Sequence, residues 1–291
     1  QIMNGEILRK LDVLAGQITQ ADAIVVGAGS GLSSAAGYNH YHWTPAMDEY
    51  LEDFRNYYGF SSPFAGFYHC YSSPEQQWAY YTRYIYSMYQ LPTGQPYLDL
   101  KELIAEKDYF VLTTNVDMQC ERIFPRERIC DFQGNMGHLQ CCQPCHDQLY
   151  ENRDMIEQMN RNLNGISLPA EFVPRCPHCG RIMTPWVRDD TFLEGAVWQA
   201  DVKRYEDFLS SYLIQRPDRK VLLLELGVGE MTPGVIKLPF WSMTKKNPQV
   251  FYACLNQKPS SAPEHLKGQS IYIEGNLAET LHELRRTLKR R

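Results

Sequence analysis

The stretch AIVVGAGSGLSSAAG, at residues 23–37, decides how the rest of the chain is interpreted. The apolar residues from Ala23 to Val26 predict a short buried strand, the glycines predict a turn, and the small residues after them predict the start of a helix. Glycines in such a turn let the backbone approach a pyrophosphate, and the helix N-terminus supplies N–H groups and a positive dipole end. The stretch therefore predicts a strand–turn–helix unit that can bind a dinucleotide.

Two observations leave the role of this turn open. A glycine-rich turn also occurs in α/β proteins that bind no nucleotide, and no acidic residue ends a strand about 20 residues later, as the dehydrogenase pattern requires. Ser33 and Ser34 follow one turn into the helix, where they are either small helix residues or polar groups beside a ligand.

Further apolar segments alternate with helical patterns along the chain. Four more strands are predicted, at residues 109–115, 220–229, 249–256 and 270–276. Apolar residues recur at helical spacing in residues 5–20, and a second amphipathic helix is predicted at the C-terminus. The aromatic-rich segment 40–100 predicts several helices that form a lid. Apolar strands that alternate with helices predict an α/β fold with a doubly wound parallel sheet.

The composition argues against several classes of protein. The 291 residues carry a net charge of -5 at pH 7, which disfavours nucleic acid as a partner, because phosphate binding needs a basic face. No run of 18 apolar residues occurs, so we expect no membrane span. Nine cysteines are too few for a disulfide scaffold of this length, and the N-terminus lacks the apolar core of a secretory signal. We therefore expect a cytoplasmic protein.

Polar residues end the second predicted strand. The sequence TTNVD places Asn115 and Asp117 at the carboxyl end of that strand, which is the edge where parallel sheets bind ligands. The alternative is an Asx turn that closes the strand. Asn115 and Asp117 are therefore candidate ligand-binding residues.

Five of the nine cysteines form two tight clusters, which points to metal binding. The first cluster contains Cys141, Cys142 and Cys145, and the second is CPHC with Cys176 and Cys179. Two pairs of thiolates can complete a tetrahedral zinc site, and coordination by sulfur alone would make that site closed and structural. The gap between the clusters exceeds the usual 15–20 residues. The local Cys-x₂-Cys spacing favours Cys142 as the first ligand.

Taken in order, these motifs resemble those of the sirtuins. The resemblance rests on GAGSGLSS, TTNVD, the QG before the first cysteine cluster, CPHC, GVGEMTP at 227–233 and CLN at 254–256, and it spans nearly the whole chain. It implies a Rossmann-like NAD-binding domain of residues 1–135 and 190–291, which includes the helical lid, and an inserted zinc-binding module of residues 136–189. The sirtuin spacing implies that Cys141, rather than Cys142, binds zinc together with Cys145, Cys176 and Cys179.

The resemblance also implies the residues of an NAD site. Asn115 would orient the ribose hydroxyls, and Asp117 would bind the nicotinamide amide. The full set implied to bind NAD comprises Gly27, Ala28, Gly29, Ser33, Ser34, Asn115, Asp117, Gln133, Gly227, Gly229 and Asn256.

The chain departs from the sirtuin pattern where the reaction is decided. Gln133 stands at the position of the sirtuin histidine that takes a proton from a ribose hydroxyl during deacylation. Residues 37–40 read GYNH in place of proline-aspartate-phenylalanine-arginine, and PWVRDDTF at 185–192 replaces an apolar peptide-binding stretch. These changes resemble the class M sirtuins, a macrodomain-linked branch. That likeness implies protein ADP-ribosylation, an acceptor such as a lipoylated carrier protein like the glycine-cleavage H protein, and a macrodomain protein that reverses the modification.

Glutamine cannot accept a proton, and loss of a general base typically costs about 10²–10⁴-fold in rate. Its amide can still hydrogen-bond a ribose hydroxyl. We expect Asn115, Gln133 and Arg188 to be the catalytic residues of an NAD-dependent protein ADP-ribosyltransferase that releases nicotinamide. Arg188 would then face an anionic or polar group, although it could instead pair at the surface with Asp189 or Asp190.

Two other functions stay open at this point. The first is an NAD hydrolase or a protein deacylase, and in the deacylase His138, five residues after Gln133, would be the proton acceptor. The second is an inactive sensor of NAD or ADP-ribose.

Overall fold

The computed structural model describes residues 3–259 and 263–291. In these residues the strands are β1 Ala23–Ala28, β2 Asp108–Thr113, β3 Ile129–Asp131, β4 Gly134–Cys141, β5 Tyr150–Glu151, β6 Met183–Val187, β7 Val221–Leu226, β8 Val250–Asn256 and β9 Ser270–Glu274. The α-helices are α1 Gly5–Gln20, α2 Ser30–Ala35, α3 Pro45–Tyr58, α4 Pro63–Phe67, α5 Pro74–Gln90, α6 Gln95–Ile104, α7 Arg153–Arg161, α8 Ala196–Leu213, α9 Lys237–Lys246 and α10 Leu277–Lys289.

The main sheet has six parallel strands in the order β3-β2-β1-β7-β8-β9. From β1 the chain extends the sheet to one side through β2 and β3, and it later returns to the other side of β1 with β7. The strand order therefore reverses between β1 and β7. Ala28 pairs with Leu226, so these two strands end at the same edge. Open α/β sheets bind their ligands at such a switch point.

Helices cover both faces of this sheet, which confirms the predicted Rossmann-like, doubly wound fold. Helices α1, α6 and α10 pack on one face through an apolar core that includes Leu14, Leu103 and Leu281, all buried. Helices α8 and α9 pack on the other face through Tyr212 and Phe240. The predicted helix at residues 5–20 is confirmed as α1. None of the helices in the described part of the chain has the length and apolar character of a membrane span.

A second, smaller sheet is antiparallel, in the order β5-β4-β6. The aromatic helices α3, α4 and α5 share one hydrophobic core with it, in which Trp78, Tyr84, Met136 and Met183 are buried. The indole Nε1 of Trp78 donates to the backbone oxygen of Met183 at 2.9 Å. The predicted helical lid is therefore present, and it packs on the small module. The division of the chain at residues 135/136 and 189/190 stays a prediction.

A buried ion pair closes the loop between β7 and α9. The Nζ of Lys237 lies 2.7 Å from Oε2 of Glu225, and the two side chains are 3% and 0% exposed. Tyr252 donates to the other carboxylate oxygen at 2.8 Å, and the thiol of Cys254 lies 3.2 Å from Oε2. A buried charge is tolerated when it is paired and hydrogen-bonded, and both conditions hold for Glu225.

Replacement of Lys237 by methionine should lower the free energy of unfolding by about 3–5 kcal/mol, because it leaves the Glu225 carboxylate buried without its counter-charge. Lys267→Met is the matched control, since Lys267 pairs with Glu264 at an exposed site and an exposed pair contributes roughly 0–1 kcal/mol. Urea denaturation measures both. Equal losses in the two variants would show that the buried pair does not hold the loop.

Candidate active site

A cavity of about 550 Å³ opens at the carboxyl edge of the main sheet, at the switch point between β1 and β7. Three parts of the fold build its walls: the turns that follow β1, β2 and β7, the segment that leads into the lid helices, and the end of β6. The polar side chains among the lining residues include Ser30, Ser34, Asn39, His40, His42, Thr114, Asn115, Gln133, Arg188 and Thr232. Tyr41, Phe64 and Tyr68 add an aromatic side.

The glycines of the first turn bring two turns of the protein together. The N–H of Gly29 donates to Leu226 at 2.9 Å, and the N–H of Gly31 donates to Gly227 at 2.8 Å. A Cβ atom on Gly29 would lie 2.6 Å from the backbone oxygen of Gly227. Gly227 itself has a φ of +63°, and a Cβ there would lie 2.5 Å from the backbone nitrogen of Leu32. These glycines permit contact between protein backbones, and Ser30 and Gly31 form the cavity wall beside them.

Asn115 lies in the cavity wall, and hydrogen bonds to the protein interior fix its side chain. Its Nδ2 donates to the backbone oxygen of Gly29 at 2.9 Å and lies 3.4 Å from the hydroxyl of Tyr97. The Tyr97 hydroxyl is 2.7 Å from Oγ of Ser33, which donates to Oδ2 of Asp117 at 2.5 Å. Burial raises the pKa of Tyr97 well above its usual value, so its hydroxyl stays protonated and available as a donor. The chain of hydrogen bonds holds the Asn115 amide in one orientation.

His40 is a cavity residue to which the sequence assigned no role. Its Nε2 lies 3.1 Å from Oδ2 of Asp117, and its Nδ1 lies 2.5 Å from the hydroxyl of Tyr84. The ring stacks on Phe64 with centroids 4.9 Å apart. Both ring nitrogens of His40 therefore have partners inside the protein. The one available signal was that His40 lies in the segment that departs from the sirtuin pattern.

Gln133 and Arg188 lie next to each other in the wall. The Nε of Arg188 donates to Oε1 of Gln133 at 2.9 Å, and its Nη1 donates to Oε1 of Glu194 at 2.6 Å. Arg188 also lies 4.1 Å from the ring centroid of Phe192, a cation–π contact. The carboxylate that pairs with Arg188 is thus Glu194, which corrects the alternative of a surface pair with Asp189 or Asp190.

The structure brings only part of the predicted site to the cavity. Among the described residues that line it, the predicted set contributes Ser34, Asn115, Gln133, Arg188 and Gly229. Seven predicted residues do not contribute to this lining: Gly27, Ala28, Gly29, Ser33, Asp117, Gly227 and Asn256. Ser33 and Asp117 are buried behind it, and Asn256 donates to the backbone oxygen of Val228 at 2.9 Å, so it supports the adjacent turn. Their part in nucleotide binding stays a prediction.

His138 does not reach this cavity wall in the described structure. Its Nδ1 lies 2.8 Å from Oδ1 of Asn135, and its ring meets Trp186 edge to face. Burial lowers the pKa of His138. His138 is therefore placed to support the small sheet, and its proposed use as a proton acceptor gains no geometric support.

The cysteine cluster lies at the end of the small sheet. The sulfur atoms of Cys141, Cys145, Cys176 and Cys179 all lie within 4.8 Å of one another, and Cys142 is outside the group. Two of the sulfur–sulfur distances, Cys141–Cys179 and Cys145–Cys176, are 3.5 Å. Four thiolates around a tetrahedral zinc ion lie about 3.8 Å apart, since each Zn–S bond is about 2.3 Å. The donor set and the spacing fit a closed, structural zinc site.

Cys176→Ser should lose bound zinc and destabilise the small module, because metal binding supplies folding energy in such modules. Cys142→Ser should keep one zinc per chain and the wild-type melting temperature. Elemental analysis and thermal denaturation test both variants. Loss of zinc from Cys142→Ser would transfer the first ligand position from Cys141 to Cys142, and zinc retained by Cys176→Ser would refute the cluster as the metal site.

Comparison with known proteins places the chain in a family. No protein-family model matches it. The chain is 33% identical over 281 residues to a protein named protein ADP-ribosyltransferase from Staphylococcus aureus (strain Mu50 / ATCC 700699), covering 95% of this chain and 87% of that protein. It is 28% identical over 233 residues to a probable bifunctional ADP-ribose hydrolase/ADP-ribosyltransferase from Fusarium oxysporum f. sp. cubense, covering 76% of this chain and 38% of that longer protein.

Solved structures show the same fold. A Sir2 homologue determined as a complex with NAD superposes with a TM-score of 0.62 at 15% identity, over 96% of this chain and 94% of that one. At this identity the likeness establishes the fold, and the bacterial relative establishes the family. The chain therefore belongs to the family of the Staphylococcus aureus protein ADP-ribosyltransferase, and it has the fold of the Sir2 proteins.

Proposed function

We propose that the protein transfers ADP-ribose from NAD to a protein acceptor and releases nicotinamide. The contact between Gln133 and Arg188 carries the proposal. Gln133 stands at the sirtuin base position, and its amide, whose oxygen accepts from Arg188 at 2.9 Å, cannot take a proton from a ribose hydroxyl. Deacylation depends on that proton transfer, whereas ADP-ribosyl transfer depends on bringing a nucleophile to the ribose carbon. The name of the Staphylococcus relative agrees with this reaction.

The cavity residues would act mainly by position. NAD supplies the leaving group, and its ribose carbon becomes electron-poor as nicotinamide departs. Asn115, fixed by its bonds to Gly29 and Tyr97, would orient the ribose hydroxyls. Phe64 and Tyr68 on the lid side would exclude water that competes with the acceptor. Correct alignment of two reactants provides a large share of the rate in such transfers, because it removes the entropy cost of their meeting.

The partners belong to the proposal as well. We infer a lipoylated carrier protein, like the glycine-cleavage H protein, as the acceptor, and a separate macrodomain protein as the enzyme that removes the modification. The name of the Fusarium relative couples ADP-ribose hydrolysis with ADP-ribosyl transfer in one longer chain, which agrees with paired addition and removal. The net charge of -5 agrees with a partner other than nucleic acid. We propose the cytoplasm as the compartment.

Incubation with labelled NAD and a lipoylated carrier protein should place the label on the carrier. Gln133→Ala should lower this transfer about 100-fold, the loss expected when a reacting group is misplaced. Gln158→Ala, an exposed glutamine on α7, is the matched control and should keep the wild-type rate. Gln133→His should gain little deacylase activity, because Arg188 and Asp189 remain in the stretch that replaces the apolar peptide-binding segment, and Arg188 lines the cavity.

The position of the label separates the alternatives. Free ADP-ribose alone would identify an NAD hydrolase, O-acyl-ADP-ribose from acylated lysine peptides would identify a deacylase, and no turnover would identify a sensor. Any of these outcomes without labelled protein would refute the proposed function.

A further inference from the structure

The orientation of the Gln133 amide is determined by its neighbour. The two ends of a carboxamide look alike in most structures, and their assignment depends on the hydrogen-bond partners. The partner here is the Nε of Arg188, at 2.9 Å. A guanidinium group only donates hydrogen bonds, so the amide atom beside it must be the oxygen. The NH₂ group of Gln133 is then the end that can donate to a ligand.

Hydrogen bonds fix the Arg188 guanidinium in place. Its three nitrogens donate to three different acceptors: Nε to Gln133, Nη1 to Glu194 at 2.6 Å, and Nη2 to the backbone oxygen of Phe132 at 3.2 Å. Its backbone N–H also donates to the backbone oxygen of Gln133 at 3.0 Å. Rotation of the guanidinium would break several of these bonds together.

Aromatic rings surround the same guanidinium. Its carbon lies 4.1 Å from the ring centroid of Phe192, and it lies 5.7 Å and 5.9 Å from those of Trp198 and Phe132. The indole nitrogen of Trp198 donates to the backbone oxygen of Phe132 at 3.0 Å, which fixes that ring. The positive charge of Arg188 is thus stabilised inside the protein, by the aromatic rings and by the Glu194 carboxylate.

The segment that carries Phe192 and Glu194 is anchored at both ends. On one side, Gln140 of β4 donates to the backbone oxygen of Thr191 at 2.7 Å and accepts from the N–H of Leu193 at 2.9 Å. On the other side, the carboxylate of Asp147 accepts from the N–H of Ala196 at 2.9 Å, at the start of α8. These hydrogen bonds therefore fix the position of Glu194 in the fold.

We propose that Glu194 is a positioning residue, and that through Arg188 it fixes Gln133 as a hydrogen-bond donor to an oxygen of the bound ADP-ribosyl group. The identity of this ligand rests on the proposed function. In this arrangement a ribose oxygen accepts from Gln133 and its hydroxyl keeps its own proton. The hydroxyl is not deprotonated, as deacylation requires, and the ribose carbon is open to the nucleophile of a protein acceptor.

Gln133→Glu distinguishes a donor from an acceptor at this position. Glutamate keeps the size of the side chain and pairs with Arg188, but its ionised carboxylate has no hydrogen to donate. We expect its affinity for ADP-ribose, measured by calorimetry at neutral pH, to fall about tenfold, the effect of one lost hydrogen bond. Gln133→Met, which removes both functions, should show a similar loss and covers the case in which the glutamate variant does not fold. Wild-type or tighter binding by Gln133→Glu would overturn the proposal, because a residue that accepts is not impaired by a carboxylate.

A double-mutant cycle tests the positioning role of Glu194. Glu194→Ala should weaken ADP-ribose binding several-fold, and Glu194→Gln, which keeps the acceptor oxygen, should recover part of the loss. Asp190→Asn, an exposed carboxylate of the same segment, is the matched control and should bind as wild type does. In the Gln133→Met background, Glu194→Ala should cause no further loss, because residues that act through one another are not additive. Additive losses, or a Glu194→Ala variant that equals the control, would contradict the assignment.

These measurements separate the inference from the proposed function. Binding of ADP-ribose is measured without an acceptor protein or turnover. If wild-type protein labels no carrier while Gln133→Glu still weakens ADP-ribose binding, the transferase proposal fails and the donor assignment holds. If the carrier is labelled while Gln133→Glu binds ADP-ribose as tightly as wild type, the donor assignment fails and the transferase proposal holds.

Discussion

The fold depends on a backbone-to-backbone contact between the turns that follow β1 and β7. Gly29 and Gly31 donate to Leu226 and Gly227, and Gly227 in turn donates to Leu255, near the end of β8, at 3.0 Å. Backbone hydrogen bonds thus join the carboxyl ends of three strands, β1, β7 and β8, at one point. A methyl group on Gly29 would lie 2.6 Å from backbone atoms of the partner turn, so this contact tolerates no larger residue. The position of Ser30 on one side of the cavity and Gly229 on the other follows from it.

The sequence predicted the architecture because apolar strand segments and glycine turns are local patterns. It missed β3, whose three residues are too few to produce a pattern of their own, and it did not predict β4, β5 and β6 of the small sheet. It left two candidates for the first zinc ligand because spacing alone favours Cys142. In the structure Cys141 ends β4, and successive side chains of a strand point to opposite sides. Cys141 therefore faces the other sulfurs, as the sirtuin resemblance implied, and Cys142 does not.

The site was less predictable, because its contacts join residues that are distant in sequence. Ser33 and Asp117 appear in motifs as candidate ligands for NAD, yet they lie 2.5 Å apart behind the wall, where they support Asn115 and His40. No local pattern relates His40 to Tyr84 or Asp117. The partner of Arg188 was sought among its immediate neighbours, but a turn stabilised by Asp189 and Thr191 presents Glu194 instead. Sequence motifs identified the region of the site, and the fold decides which of its side chains meet a ligand.

The shared core of the lid and the small module has a thermodynamic consequence. Cys141 and Cys176 are buried in the same hydrophobic cluster as Trp78 and Tyr84, and the Tyr84 hydroxyl contacts His40 in the cavity wall. A metal ion held by the cysteines would thus stabilise the body that carries one side of the cavity. Free-energy coupling between two binding sites is reciprocal. If a ligand of the cavity favours the ordered wall, it raises the affinity for zinc by the same factor by which zinc raises the affinity for that ligand. A structural metal would then contribute to the occupancy of the cavity.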